Sequence, residues 1–236
     1  NVHQPLAAAG VLRAPQSARI PCVYTYLSPW ADEYRVRAAR AGRPGWPARL
    51  AMHLAAETRR RIERDAVRAC GRIQVLSEFS AGQVTGIHGV PRERIQIIPG
   101  AVDTARFRPA VDRQALRAKL GLPPDRFVML TVRNLVPRMG LENLVEAMAS
   151  VRREMPDVLL LIGGAGPLAE PLRRQARDLG LCSADPESDI RGPQSAIAFA
   201  GFVPEDRLPD YDAAADLFLQ PTACLEGFGL VTVEAL

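Results

Sequence analysis

Lysine is almost absent: Lys119 is the only one, and every other member of the 30 Lys and Arg residues is arginine. With abundant Ala, Pro and Gly, that bias reads as genomic composition rather than as function. Aromatic residues are scarce at 6%, and a nucleic-acid binder would cluster its arginines with aromatics, so that partner class is set aside. Cys22, Cys70, Cys182 and Cys224 are scattered, with no CxxC and no His spacing for zinc, which leaves reduced core thiols as the reading. His3, His53 and His88 have no acidic or Cys partner at catalytic or ligand spacing, and solvated or core roles are expected of them. No apolar run reaches the ~18 residues that span a bilayer, and no signal peptide is visible. The cytosol is therefore the default location. The net charge of +4 leaves open a basic face for phosphates or for anionic headgroups at the inner membrane face. No Asp-x-Asp pair stands where a divalent metal would hold a diphosphate, so neither a metal nor a cofactor is expected.

The 236 residues suffice for one large domain or two small ones, and 47% hydrophobic residues are ample for a core. Ile20 to Leu27 reads as a strand, Leu50 to Arg68 as a helix, Arg72 to Leu76 as a strand and Ile95 to Ile98 as another. Ser77 to Ser80 offers N-caps for a helix running to about His88. Pro99 to Pro109 is punctuated by Pro and Gly without periodicity, and a linker is expected over 104–125 between domains at 1–103 and 126–236. From Arg126 the pattern alternates. Strands are expected at Phe127 to Val132, Val158 to Ile162, Ala196 to Val203 and Asp216 to Leu219, with helices between them. Continuous apolar strands separated by helices imply a parallel sheet covered on both faces, with ligands at the carboxyl ends of the strands. Cys182 to Gln194 reads as an exposed loop. The missing initiator Met, a start that resembles an element already under way, and an end inside a helix predict a chain incomplete at both ends.

The most informative stretch is Glu226-Gly227-Phe228-Gly229-Leu230-Val231-Thr232-Val233-Glu234. A short apolar segment, Asp216 to Thr222, precedes it and reads as a buried strand. A strand, a glycine turn and a helix start make backbone N–H groups converge on an anion. Glu226 is expected in the turn and Glu234 in the helix, one carboxylate ahead of the amides and one beside them. A sugar joined through phosphates to a ribose fits that arrangement. Favourable carboxylates at a helix N-terminus would account for part of Glu234 but not for Glu226. Arg133, ending the first strand of the second half, and Arg138 in the next loop are candidate diphosphate ligands, since guanidinium geometry suits phosphate oxygens. Gly163-Gly164-Ala165-Gly166 is either a phosphate-binding turn or a structural strand-to-helix turn; no acidic residue follows at dinucleotide-fingerprint spacing.

Glu226 to Glu234, Gly201-Phe202-Val203-Pro204, the run Asp212 to Pro221, Ile97 to Asp103 with Phe107-Arg108-Pro109, and Val75-Leu76-Ser77-Glu78 together resemble the retaining glycosyltransferases of family four (glycosyltransferase group 1). The resemblance runs from about Ile20 onward. It implies an α/β fold of GT-B type, two Rossmann-like parallel-sheet domains facing a cleft, both truncated here. The N-terminal domain would take a sugar or lipid-linked acceptor and the C-terminal domain a nucleotide-diphosphate sugar. Glu226 would contact the donor sugar and act as the catalytic residue. Amides of Gly227, Phe228 and Gly229 would hold sugar hydroxyls, those of Leu230 and Val231 the phosphate, and Glu234 the ribose. Retention by front-face departure and attack is implied, with the diphosphate helping to deprotonate the acceptor. Three departures stand out. Arg133-Asn134 and Met139-Gly140 occupy the places where the family presents Gly-Arg and Lys-Gly, so Arg133 and Arg138, each one position away, are expected to replace the clamp cations. Leu27 stands where many members carry a histidine. Both ends are cut by comparison, and no turnover is expected of the fragment alone. A non-catalytic nucleotide-sugar-binding or partner subunit is the competing reading; a phosphorylase would want a cofactor lysine, and Lys119 lies in the expected linker.

Overall fold

Two parallel sheets, each built from short runs of aliphatic and β-branched residues, organise the computed structural model, which describes residues 1–15, 19–38, 45–183 and 195–236. The chain divides into two compact units: Asn1–Gly100 with Leu225–Phe228, and Ala101–Cys224 with Gly229–Leu236.

The first unit holds three strands in the order β1 (Val23–Thr25), β2 (Arg72–Val75), β3 (Ile95–Ile97), with Val23 opposite Arg72 and Ile73 opposite Ile95. Tyr24, Tyr26, Ile73, Val75, Val67 and Val84 form its core. Among the described residues, four α-helices accompany the sheet: α1 (Pro5–Leu12), α2 (Trp30–Ala38), α3 (Trp46–Ala69) and α4 (Glu78–His88). Ser77 caps α4 by accepting from Ser80 N–H at 3.1 Å, and Gly89 ends it at φ 65°, a left-handed conformation that glycine adopts without a Cβ clash. Helices α1 and α2 were not foreseen. Polar residues fill most of α2 (Trp30-Ala-Asp-Glu-Tyr-Arg-Val-Arg-Ala38), so it lacks an apolar stripe; Asp32 and Glu33 in its first turn and Arg35 and Arg37 in its last suit the helix dipole.

The second unit holds the sheet β6-β5-β4-β7, all parallel: β4 (Phe127–Val132), β5 (Val158–Gly163), β6 (Ile197–Gly201) and β7 (Leu217–Phe218). All six residues of β5 are buried. Its alternate side chains split between two faces. Leu160 and Ile162 join the cluster with Val145, Met148 and Leu172 from α6 (Leu141–Glu154) and α7 (Ala169–Asp178). Leu159 and Leu161 join Leu116 and Leu120 from α5 (Arg113–Leu120) and Ala214 from α8 (Leu208–Ala214). Helices therefore cover both faces, as the continuous apolar strands require. A short final helix, α9 (Leu230–Glu234), follows Gly229.

Three expectations change here. Residues 104–125, expected as a linker, contain α5 and belong to the second unit. Asp112 caps α5, and its Arg117, 5% exposed, is enclosed by protein. The strand at Asp216 to Thr222 is not buried: β7 is the edge strand, two residues long, and Leu217 is 42% exposed. Of the loop expected at 182–194, residues 184–194 lie outside the described residues.

Candidate functional site

The carboxyl ends of β4, β5 and β7 are joined by loops whose backbones touch. A Cβ on Gly164, at φ 125°, would fall inside the carbonyl of Arg133; one on Gly166 would meet the carbonyl of Leu135, and one on Gly140 that of Pro221. Backbone hydrogen bonds join these loops too. Gly164 N–H donates to Gly201 O at 2.6 Å and Leu168 N–H to Leu135 O at 3.0 Å, while Ala165 O accepts from Leu135 N–H at 2.9 Å. The glycines of Gly163-Gly164-Ala165-Gly166 thus allow close backbone approach, which is what the structural reading of this turn requires.

That packing fixes Arg133 at the end of β4. Its Nη1 donates to Thr222 Oγ1 at 2.5 Å, which ties the guanidinium to the segment after β7. Arg138 lies in the loop before α6, and its carbonyl accepts from Ala223 N–H at 2.9 Å and Cys224 N–H at 3.4 Å. Met139 is a core side chain, 5% exposed and clustered with Leu135, Leu141 and Val145. A lysine at that position would bury its stem in this cluster. Thr222 and Gln220 were missed by sequence reasoning. Gln220 sits against Gly229, where an added Cβ would clash with its side-chain amide, and its Oε1 accepts from Thr232 Oγ1 of α9. Their one signal in the sequence is polarity immediately after an apolar strand.

Within the expected Glu-x7-Glu segment, Leu225–Phe228 group with the first unit and Gly229 onward with the second. Leu225, at φ 62°, is the only non-glycine residue with positive φ among the described residues. A leucine held there stores roughly 1–3 kcal/mol of strain, of the kind found at binding sites. In the first unit the carbonyl of Gly227 accepts from Ser77 Oγ at 2.5 Å and from Ser80 Oγ at 3.5 Å. A Cβ on Gly227 would lie 2.9 Å from Ser80 Oγ and 3.0 Å from the Leu27 carbonyl, so only glycine fits without displacement.

Glu234 lines a cleft of about 520 Å³ in the second unit with Arg108, Arg113, Asp212 and Phe107. Asp212 has a carboxyl oxygen, Oδ1, that is buried without a hydrogen-bond partner among the described residues. Burial, aided by the charge of Glu234, pushes its pKa up to about 7. The folded value lies above the unfolded value of 3.8, so its contribution to stability is complete below pH 3.8 and lost as pH rises through about 7. Asp212→Asn, neutral at all pH, should accordingly match the parent in urea unfolding near pH 4 and exceed it at pH 8. A shift of this size corresponds to at most about 4 kcal/mol, which solvent screening reduces to ~1–2 kcal/mol. An equal difference at both pH values would remove Asp212 from this role.

His88 takes the core role expected of it, 1% exposed, and gains an acidic partner that the sequence did not show. His88 Nε2 lies 3.3 Å from Glu63 Oε2, both side chains essentially buried, and Glu63 accepts from Trp30 N–H at 3.2 Å. Twenty-five residues separate the pair, a spacing that no local pattern flags.

The family described as "Glycosyl transferases group 1" matches residues 112–236, and "Glycosyltransferase Family 4" matches residues 1–106. A GDP-mannose-dependent alpha-(1-6)-phosphatidylinositol monomannoside mannosyltransferase of Mycolicibacterium smegmatis is 32% identical over 185 residues, covering 74% of this chain and 45% of the relative. A D-inositol 3-phosphate glycosyltransferase of Acidothermus cellulolyticus is 34% identical over 182 residues, covering 73% and 38%. Among solved structures, sucrose-phosphate synthase from Thermosynechococcus elongatus superposes with a TM-score of 0.71 at 26% identity, covering 99% of this chain and 52% of that one. HepE from Anabaena in complex with UDP gives 0.72 at 23% identity, covering 98% and 55%, and shares the fold. The chain spans about half the length of these proteins or less.

Proposed function

We propose, since the chain belongs to the group 1 glycosyl transferases, that it binds a nucleotide-diphosphate sugar through Glu226–Glu234 and serves transfer of that sugar, with retention, to a sugar or lipid-linked acceptor. The observation that carries this reading is Arg133, held by Thr222 at the carboxyl ends of β4 and β7, where parallel α/β sheets receive ligands. Arg133 and Arg138 neutralise the diphosphate, in place of a metal. Glu226 contacts the sugar, amides of Gly227 to Val231 meet hydroxyls and phosphate, and Glu234 holds the ribose. As the glycosidic bond to phosphate breaks, negative charge grows on the leaving diphosphate, and fixed cations and amides lower that barrier more than they stabilise the ground state. The acceptor oxygen attacks from the same face, its proton passing to a diphosphate oxygen.

Met139 in the core favours a second reading, a partner subunit that binds the donor without turning it over. Donor binding is common to both readings, and sugar transfer or donor hydrolysis by the full-length parent selects the first.

The test is calorimetric titration with UDP-glucose, GDP-mannose and ADP-glucose in EDTA. One donor should bind with unchanged affinity when magnesium replaces EDTA. Arg133→Ala should weaken that binding about 10- to 100-fold, the loss of one charge-assisted phosphate contact. Binding that requires magnesium, or that ignores Arg133, would refute the metal-free clamp.

A further inference from the structure

The first unit brings together two thiols that are 48 residues apart in sequence. Cys70 Sγ–H donates to Cys22 Sγ at 3.0 Å, and neither sulfur is in a disulfide. The approach is fixed by backbone on both sides. Cys22 immediately precedes β1 and Cys70 ends α3. Gly71 N–H donates to Cys22 O at 2.9 Å, continuing the parallel register in which Val23 faces Arg72. On the other side, Arg94 donates to the carbonyls of Arg68, at 2.9 Å, and of Cys70, pinning the end of α3. The two sulfurs are not equivalent. Cys70 is fully buried, whereas Cys22 is partly exposed and lines a cavity of about 350 Å³ with Leu12, Ile20, Pro21 and Arg72. A small oxidant therefore reaches Cys22 first, with Cys70 waiting behind it.

We propose that Cys22 and Cys70 form a reversible oxidation site that closes to an intramolecular disulfide when a peroxide enters the cavity at Cys22. The Cys22 thiolate attacks one oxygen of hydrogen peroxide; the O–O bond breaks, hydroxide leaves, and Cys22 becomes a sulfenic acid. The Cys70 sulfur, losing its proton to that hydroxide, attacks the sulfenic sulfur and expels its oxygen as hydroxide, which solvent protonates to water. Two electrons pass from the sulfur pair to the peroxide, and a dithiol returns both on reduction. Burial raises the Cys70 pKa to about 12, which casts Cys70 as the resolving thiol rather than the one that attacks the peroxide. The bond would tie the end of α3 to the start of β1.

The chain would be treated with hydrogen peroxide, alkylated, digested without reductant and mapped by mass spectrometry, with exposed Cys224 as an internal comparison. The expected result is a peptide pair joined through Cys22 and Cys70, lighter by two hydrogens and restored by dithiothreitol. In Cys70→Ser, checked for folding by circular dichroism, Cys22 should instead accumulate as a sulfenic acid trapped by dimedone. Should that variant not fold, the parent decides alone. Sulfenic or sulfinic acid accumulating at Cys22 in the parent, with Cys70 still open to alkylation on unfolding, would overturn the proposal. So would oxidation confined to Cys224.

Discussion

Glu226→Gln should weaken binding of an intact nucleotide sugar roughly 10- to 100-fold while leaving the free nucleoside diphosphate within about twofold. The substitution keeps size and hydrogen-bonding capacity but removes the charge. A hydrogen bond to a charged group is worth ~1.5–3 kcal/mol, and every 1.4 kcal/mol is about tenfold in affinity. The split between the two ligands is the informative part. Only the sugar is expected to meet Glu226, because the diphosphate is assigned to Arg133, Arg138 and the amides that follow Gly229. Strain at Leu225 fits this role, since a backbone held in an unfavourable conformation fixes the direction of the next side chain. Equal losses for both ligands would move Glu226 to the phosphate or make it structural, and no loss would take it out of the site.

Arg117→Ala should cost the second unit about 3–5 kcal/mol, the range for breaking one side of a buried ion pair. Arg117 lies on α5, and its side chain is only 6% exposed. It donates to Asp216 Oδ2 at 2.6 Å, to Ala214 O at 2.9 Å, and to Pro124 O and Arg126 O at 3.1 Å each. Asp216 also accepts from Val128 N–H at 2.8 Å and from Arg113 at 2.7 Å. One guanidinium thus joins α5 to the end of α8, the start of β4 and the approach to β7. Removing it takes that donor from three carbonyls and leaves Asp216 with Val128 N–H and Arg113. Partial burial pushes the Asp216 pKa up, but the hydrogen bonds from Val128 and Arg117 and the charges of Arg117 and Arg113 outweigh it, and the net shift is downward. The resulting stability is present above the unfolded value of 3.8 and lost as pH falls through the lower folded value. In Arg117→Ala that loss on acidification should shrink. Urea unfolding at pH 7 and at pH 3 measures both effects. A cost below about 1 kcal/mol would mean that α5 is held by its apolar contacts alone.

The elements that sequence made legible are those in which one signal dominates. β5 is an aliphatic run and β4 a largely apolar one, each between turn residues, and their parallel pairing and burial follow from that. Helix α4 was legible through the N-cap at Ser77 and a run to about His88. Helix α5 was obscured because it follows a Pro/Gly-punctuated stretch and shows only Leu116 and Leu120 as an apolar face, while its buried Arg117 is held in part by Ala214 and Asp216, nearly 100 residues away. β7 was misjudged because Leu217 and Phe218 are apolar, and edge or centre is decided by neighbours that local pattern does not reveal. In the candidate site, Glu226 and Glu234 stood out by spacing. Thr222, Gln220 and Asp212 did not, since each owes its place to a loop brought in by tertiary contact. Met139 illustrates the opposite limit: its identity marked a departure from the family, but only its burial among Leu135, Leu141 and Val145 shows what it does instead.

Amide hydrogen exchange on the chain, with and without a nucleotide sugar at saturating concentration, tests the central claim most directly. The account predicts that the ligand slows exchange at Gly227 to Val231 and in the loop carrying Arg133 and Arg138, with Glu234→Ala reducing the effect by weakening the hold on the ribose. A ligand that binds while exchange across residues 225–236 stays unchanged would contradict it.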